Sequence, residues 1–80
     1  MEIKCGMIVK CIAGHDKNRF FLVVNLVERR AYIVDGKKRL LASPKAKNLI
    51  HLKVTKNDVS LFKYNTNKKI RQLLHGYNHN

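Results

Sequence analysis

The stretch FFLVVNLV at residues 20–27 is the strongest indication of the fold. Aromatic and β-branched side chains dominate this stretch, and such residues favour β-strands. Because the side chains of a strand alternate between its two faces, an outward-facing Asn25 predicts which neighbours face the core. The predicted core face holds Phe20, Leu22, Val24 and Leu26, and the predicted outer face holds Phe21, Val23 and Val27.

Four further apolar runs have the length of strands, at residues 6–13, 31–35, 39–42 and 49–54. The pair Asp35-Gly36 predicts a hairpin turn between the second and third of these runs. Five short strands with no helix between them predict a mainly β domain, built as a small five-stranded antiparallel barrel.

The first and last of these four runs show an alternation that assigns their faces. In the first run, Met7, Val9 and Cys11 lie on one face and Lys10 on the other. In the last run, the inward residues are Ile50, Leu52 and Val54, and the outward residues are His51 and Lys53.

Three basic segments separate the apolar runs. The first is AGHDKNR at residues 13–19, the second is VDGKKR at 34–39, and the third is SPKAKN at 43–48. Each contains Gly, Asp, Asn or Pro, which supply the backbone conformations that turns require. Each also carries at least two Lys or Arg residues, so a small β-domain with cationic turns is expected to bind a polyanion.

The pattern changes to that of a helix near Thr66. Apolar residues recur at helical spacing, and they are Ile70, Leu73, Leu74 and Tyr77. The sequence predicts a short helix at about residues 67–75, capped by Thr66 or Asn67 and ended by Gly76. We expect its apolar stripe to dock on the outer face of the barrel around Phe21 and Val23, and a partner surface is the alternative. Residues 1–54 then form the barrel and residues 55–80 a carboxy-terminal extension, in which 56–65 have no assigned structure.

The charge of the chain limits the classes of partner that it is expected to bind. Its 80 residues include 17 Lys and Arg but five Asp and Glu, which gives a formal net charge of +12. Phosphates or an anionic membrane surface would offset such an excess. No apolar run approaches the ~18–20 residues of a spanning helix, and the amino terminus lacks the plan of a signal peptide. We therefore expect a cytoplasmic protein with no membrane partner.

The two cysteines and the acidic residues form no sequence pattern typical of a catalytic or metal-binding site. Cys5 and Cys11 do not have the spacing of a zinc signature, so a structural role is favoured over metal binding or a disulfide. We expect Cys11 to be buried and Cys5 to be exposed. Asp16 and Asp35 are explained as turn formers, and no nucleophile elbow, phosphate-binding glycine loop or metal triad is present. The sequence predicts no enzyme, no cofactor, no metal and no small-molecule substrate.

The basic segments and their flanking runs resemble a known family. The KOW motif of ribosomal and transcription-factor proteins is similar to Gly6-x-Ile8-Val9, Ala13-Gly14-x-Asp16-Lys17 and the apolar strand after Arg19. The later matching residues are Val34-Asp35-Gly36-x-x-Arg39, Pro44-Lys45-x-Lys47-Asn48 and His51-Leu52. Together, over about residues 3–54, they resemble small bacterial KOW-domain proteins that are similar to archaeal and eukaryotic large-subunit ribosomal protein fourteen. The resemblance implies an SH3-like barrel, RNA binding and association with the ribosome.

One position departs from the family pattern. The KOW motif usually has Gly after its Asp-Lys pair, where this chain has Asn18. That Gly permits a positive φ, and Asn is the other residue that best tolerates this region. We therefore expect Asn18 to adopt a positive φ.

The predicted RNA contacts come from the three basic segments. They are His15, Lys17, Arg19, Lys37, Lys38, Arg39, Lys45 and Lys47. Lys and Arg on turns reach phosphates, and turn N–H groups add hydrogen bonds to the same oxygens. Phe21, Tyr32 and Tyr64 are candidates for base stacking, but packing of the core is the favoured role for each. Recognition by RNA shape and backbone is therefore expected, rather than recognition of sequence.

The expected partner is RNA, ribosomal RNA above all, with ribosomal proteins as further contacts. The alternative is a protein-interaction module that docks a transcription or translation partner, in which the charge only steers association. The salt dependence of binding distinguishes the two, because each neutralised phosphate contributes a slope of about −0.7 to −0.9 to a log–log plot of affinity against salt.

Overall fold

A computed structural model describes residues 2–78 and confirms a mainly β fold with a short carboxy-terminal helix. Its elements in chain order are β1 (Met7–Cys11), β2 (Phe20–Val27), β3 (Arg30–Val34), β4 (Lys45–Asn48), a 3-10 turn (Leu49–His51), β5 (Leu52–Asp58) and α1 (Asn67–Asn78). The five strands pair antiparallel in one sheet, in the order β4-β3-β2-β1-β5. This arrangement is consistent with the predicted small barrel. No helix within residues 2–78 has the length and apolar character needed to cross a membrane.

One apolar cluster lies inside the curled sheet, and we call it the barrel core. It consists of Val9, Cys11, Phe21, Val23, Ala31, Ile33 and Leu52. Strands β3 and β5 are separated by β2 and β1 in the sheet, yet both supply residues to this cluster, so the sheet curls around it. The predicted burial of Cys11 and exposure of Cys5 are both confirmed.

A second cluster lies between the opposite face of the sheet and α1, and we call it the helix interface. It consists of Ile8, Leu22 and Val34 from the strands and Ile70 and Leu74 from the helix. Ile70 and Leu74 are fully buried, and burial of such a side chain is worth about 1.5–3 kcal/mol. The helix is therefore an integral part of the fold.

The predicted faces of β2 are wrong at its beginning. Phe21 and Val23 lie in the barrel core, whereas Leu22 lies in the helix interface. Both faces of β2 are covered by other parts of the protein, so both are apolar and alternation cannot decide between them. A bulge between Val23 and Asn25 then shifts the alternation, which allows Leu26 to pack against the barrel core. Because Leu22 lies on the face opposite to Phe21 and Val23, the helix docks around Leu22 and not around Phe21 and Val23 as predicted.

The fourth strand also differs from the prediction. Residues 39–42 form no strand, and only one isolated bridge joins Leu40 to Ser43. On the side of β3 that faces away from β2, the neighbouring strand is instead β4. This strand lies within the third basic segment, which composition assigns to a turn. The chain leaves the sheet after β3 because the Asp35 carboxylate accepts hydrogen bonds from the backbone N–H groups of Lys37, Lys38 and Arg39.

The run at residues 49–54 is a strand only in its second half. The side chain of Asn48 accepts a hydrogen bond from the Ile50 N–H at 3.1 Å and starts a 3-10 turn. Ile50 is 73% exposed and does not face inward as predicted, whereas Leu52 is buried and Val54 packs against the barrel core. Strand β5 then continues to Asp58, into a region for which the sequence gives no assignment.

Helix α1 begins as predicted but extends beyond its predicted end. Of the two candidate caps, Thr66 is the one used, since its Oγ1 accepts from the Lys69 N–H at 3.2 Å. Gly76 does not stop the helix, which continues to Asn78. The side chain of Asn78 holds this end by accepting from the Phe20 N–H at 2.7 Å and donating to the Phe20 carbonyl oxygen at 3.0 Å. Tertiary contacts thus override the tendency of Gly76 to end the helix.

Candidate nucleic-acid interface

An ion pair joins the first basic segment to the second. Nη2 of Arg39 lies 2.9 Å from Oδ2 of Asp16, and the two side chains are 31% and 14% exposed. Arg39 was predicted as an RNA contact, but its guanidinium is already engaged by a carboxylate of the protein. The pair braces the first and second basic segments against each other, and the RNA contact of Arg39 stays a prediction.

The second basic segment is organised around Asp35. Its Oδ1 accepts hydrogen bonds from the backbone N–H groups of Lys37, Lys38 and Arg39, at 2.9, 2.9 and 2.8 Å. Asp35 is only 4% exposed, so its carboxylate is enclosed by these donors. A short acidic side chain that bonds the N–H groups following it is a frequent basis for a turn, so the predicted turn-forming role of Asp35 is confirmed. The predicted hairpin is wrong, because residues 39–42 form no second strand. The side chains of Lys37 and Lys38 are exposed on this fixed backbone.

The first basic segment is held by its own turns and by Asn18. The φ of Asn18 is +72°, which confirms the positive φ expected at this position. Its N–H donates to the Cys11 carbonyl oxygen at 2.7 Å, and the Arg19 N–H donates to the Asp16 carbonyl oxygen at 3.0 Å. The other predicted contacts of this segment, His15 and Lys17, are exposed, as is Arg19.

The third basic segment reaches the first through a lysine of β4. Nζ of Lys47 lies 3.5 Å from the carbonyl oxygen of Ala13. Lys45 is two residues earlier on the same strand and is exposed. Side chains two residues apart in a strand share a face, so Lys45 and Lys47 point the same way. All three basic segments are therefore in contact through Arg39 and Lys47.

Helix α1 adds residues that the sequence analysis did not assign to the site. A cleft of about 290 Å³ is lined by the predicted contacts Arg19 and Lys37 together with Arg71, His75 and Asn78 of the helix. We call it the basic cleft. The three helical residues follow one another at spacings of four and three, so they share a face next to the apolar stripe. This spacing is the signal that could have found them, once the helix is known to dock beside the second basic segment.

The candidate stacking residues do not line the basic cleft. Phe21 is 1% exposed in the barrel core, so a base cannot reach its ring. Tyr64 packs against the helix interface, and Tyr32 is half-buried at the Glu28–Arg29 turn. The favoured packing role is confirmed for Phe21 and Tyr64.

The three basic segments present cations and hydrogen-bond donors, and they also bond the two acidic side chains that lie among them. Asp16 is paired with Arg39, and Asp35 is enclosed by three N–H groups. Both carboxylates are therefore engaged by donors of the protein itself. No protein-family model matches this chain, and no curated protein gives a significant match. Its function is therefore inferred from its own residues.

Proposed function

We propose that the protein is an RNA-binding module that associates with the ribosome and contacts the backbone of ribosomal RNA through its basic segments. The observation that carries the proposal is the contact of all three basic segments, through the Arg39–Asp16 ion pair and the Lys47–Ala13 contact. Lysines and arginines that are gathered in this way can neutralise several phosphates of one RNA at once, which is the main source of affinity in such complexes.

The expected mode of recognition is the shape and backbone of RNA. Exposed cations are plentiful, whereas Phe21 and Tyr64 are used to pack the protein. Phosphate contacts position a protein on nucleic acid but do not specify a sequence. The resemblance to the KOW motif supports ribosomal RNA as the source of that backbone.

The proposal is tested by sedimenting the full chain with ribosomes from its own cells at low and at high salt. We expect co-migration with the large subunit at low salt and release at high salt. In a parallel titration with purified ribosomal RNA, the log–log slope of affinity against salt should correspond to several contacts at about −0.7 to −0.9 each. Absence from every ribosomal fraction would remove the ribosome from the proposal, and a slope near zero would remove RNA.

Docking of a transcription or translation protein is the second candidate, and exposed apolar side chains favour it. Ile50 is 73% exposed and Val27 is 48% exposed. A second cleft has a volume of about 500 Å³ and is lined by none of the predicted RNA contacts. Its lining is apolar at Ile3, Leu26, Leu49, Leu52 and Val54 and charged at Glu2, Glu28 and Lys53. Affinity that depends on such apolar burial would change little over the salt range that releases RNA.

A further inference from the structure

We propose that the basic cleft is a subsite for a single phosphate group of the RNA, formed jointly by the second basic segment and helix α1. The inference rests on the proposed function and adds to it a defined location and a contribution from the helix. The ligand chemistry is that of a phosphate, and its source is the RNA backbone.

Three cations from three separate parts of the chain line the cleft. They are Arg19 of the first basic segment, Lys37 of the second and Arg71 of the helix. Within residues 2–78, none of these three forms an ion pair with a carboxylate. Like charges that share a small volume repel one another, and an anion between them removes that repulsion.

The backbone around the cleft is fixed by close packing. Nη1 of Arg71 donates to the Gly36 carbonyl oxygen at 3.3 Å, which orients the guanidinium and leaves its other N–H groups for a ligand. Gly36 itself lies so close to the helix that a Cβ there would overlap the Asn67 carbonyl oxygen. The second basic segment and the helix therefore hold the backbone of Lys37 beside that of Arg71, and such pre-organisation lowers the entropic cost of binding.

Within residues 2–78, the carboxylate at the cleft is that of Asp35, and backbone N–H groups of the protein already bond it. Asp35 lines the cleft, but its Oδ1 accepts three backbone N–H groups and the residue is 4% exposed. These dipoles offset part of the negative charge, and among the described lining residues the three cations outnumber the one carboxylate. A phosphate offers several oxygens in different directions, and it can therefore contact an Arg and a Lys from different segments at the same time.

The first experiment locates the ligand. Amide chemical shifts of the full chain are followed by NMR while inorganic phosphate is added, and chloride at equal ionic strength is the control. We expect saturable shifts at Gly36, Lys37 and Arg71 with phosphate but not with chloride, and larger shifts at the same amides with a short RNA. Shifts spread evenly over all exposed lysines would overturn the proposal. Saturation by phosphate that RNA does not displace would assign the cleft to a free phosphate and would also overturn it.

The second experiment compares two variants of equal net charge. One carries Arg19→Gln and Lys37→Gln, and the control carries Lys56→Gln and Lys63→Gln, whose side chains are exposed and do not line the cleft. We expect RNA to bind the first variant about tenfold or more weakly than the control, since hydrogen bonds to charged groups are the strong ones. Thermal melting checks that both variants are folded.

The outcomes separate this inference from the proposed function. Equal RNA affinity of the two variants, with tight binding by the unaltered protein, would overturn the phosphate subsite and leave the RNA-binding proposal standing. Failure of the unaltered protein to bind RNA at low salt would overturn both, because the proposed phosphate belongs to RNA. A saturable response to inorganic phosphate alone would then describe a free-anion site of a different kind.

Discussion

The guanidinium of Arg39 donates to the carboxylate of Asp16 over 2.9 Å, although 23 residues separate them in the chain. The contact gives a residue of the second basic segment a structural partner in the first. It also hides part of the cationic surface, because a paired arginine is less available to phosphate. Under the proposed function, stability and RNA affinity would therefore place opposite demands on Asp16.

Replacement of Asp16 by Asn should lower stability and raise RNA affinity. The ion pair is partly exposed, so its loss should cost about 1 kcal/mol of unfolding free energy. The released guanidinium should add one phosphate contact and strengthen RNA binding by about fivefold, which corresponds to roughly 1 kcal/mol. Urea unfolding and an RNA titration measure the two effects. A fall in both quantities would show that RNA needs Arg39 in its braced orientation.

The joint change of Lys37→Glu and Lys38→Glu should abolish most RNA binding and preserve the fold. Both side chains are exposed, and the bonds to Asp35 come from their backbone N–H groups, which the substitutions retain. We expect affinity to fall by about 100-fold or more, since each lost charge contact is worth at least 1.4 kcal/mol. Arg39 is left unchanged because a glutamate there would face Asp16.

The matched control for this change is Lys56→Glu with Lys63→Glu, which alters the net charge equally. Both lysines are exposed and lie outside the basic segments. If the two variants lose the same affinity, RNA is held by net charge and not by the second basic segment. A fluorescence-anisotropy titration at two salt concentrations distinguishes these results.

Asn18→Val should destabilise the protein far more than an ordinary surface change. Asn18 has a φ of +72°, a region that is unfavourable for a β-branched side chain. The expected cost is about 1–2 kcal/mol of unfolding free energy, measured as a lower melting temperature. Asn18→Gly is the control, because glycine adopts this φ without strain and should leave the melting temperature nearly unchanged. An unshifted melt of the Val variant would contradict the assigned conformation.

Two glycines of the chain should respond to alanine in opposite directions. Gly36 has a φ of +75°, and a Cβ there would lie 2.8 Å from the Arg71 backbone nitrogen. Gly36→Ala should therefore cost at least about 2 kcal/mol, because backbone strain adds to a forced displacement of the helix. Gly76 lies within α1 and a Cβ there meets nothing within 4 Å. Gly76→Ala should stabilise the protein by about 0.5–1 kcal/mol. Thermal melts of the two variants check both signs, and a destabilised Gly76→Ala would contradict the helical assignment.

The fold class was predictable because local composition agrees with the final structure along most of the chain. The strand at residues 20–27 is marked by its aromatic and β-branched composition, and α1 is marked by the helical spacing of its apolar stripe. The faces of β2 were not predictable, since both are buried. Strand β4 was missed because Lys-Ala-Lys-Asn lacks apolar alternation, and its pairing with β3 defines it. Residues 39–42 resemble a strand, but the hydrogen bonds of Asp35 direct the chain elsewhere.

The cations of the candidate interface were predictable one by one, but their relationships were not. Turn composition located Lys37 and Arg39, yet gave no sign that Arg39 would pair with Asp16. The contribution of Arg71 depends on the docking of α1 against Gly36, a non-local contact that no local pattern specifies. Charge is visible in a sequence, whereas the partner of each charge is a property of the tertiary structure.

The position of β4 at one end of the sheet order has a consequence for solubility. An edge strand offers unpaired backbone groups to other molecules, and inward-pointing charges are a known protection against such association. Lys45 and Lys47 are paired with Ile33 and Ala31, residues of the barrel core, so these two lysines lie on the core-facing side of the edge. Neutralising them would therefore weaken a barrier to aggregation as well as remove two cations from the interface.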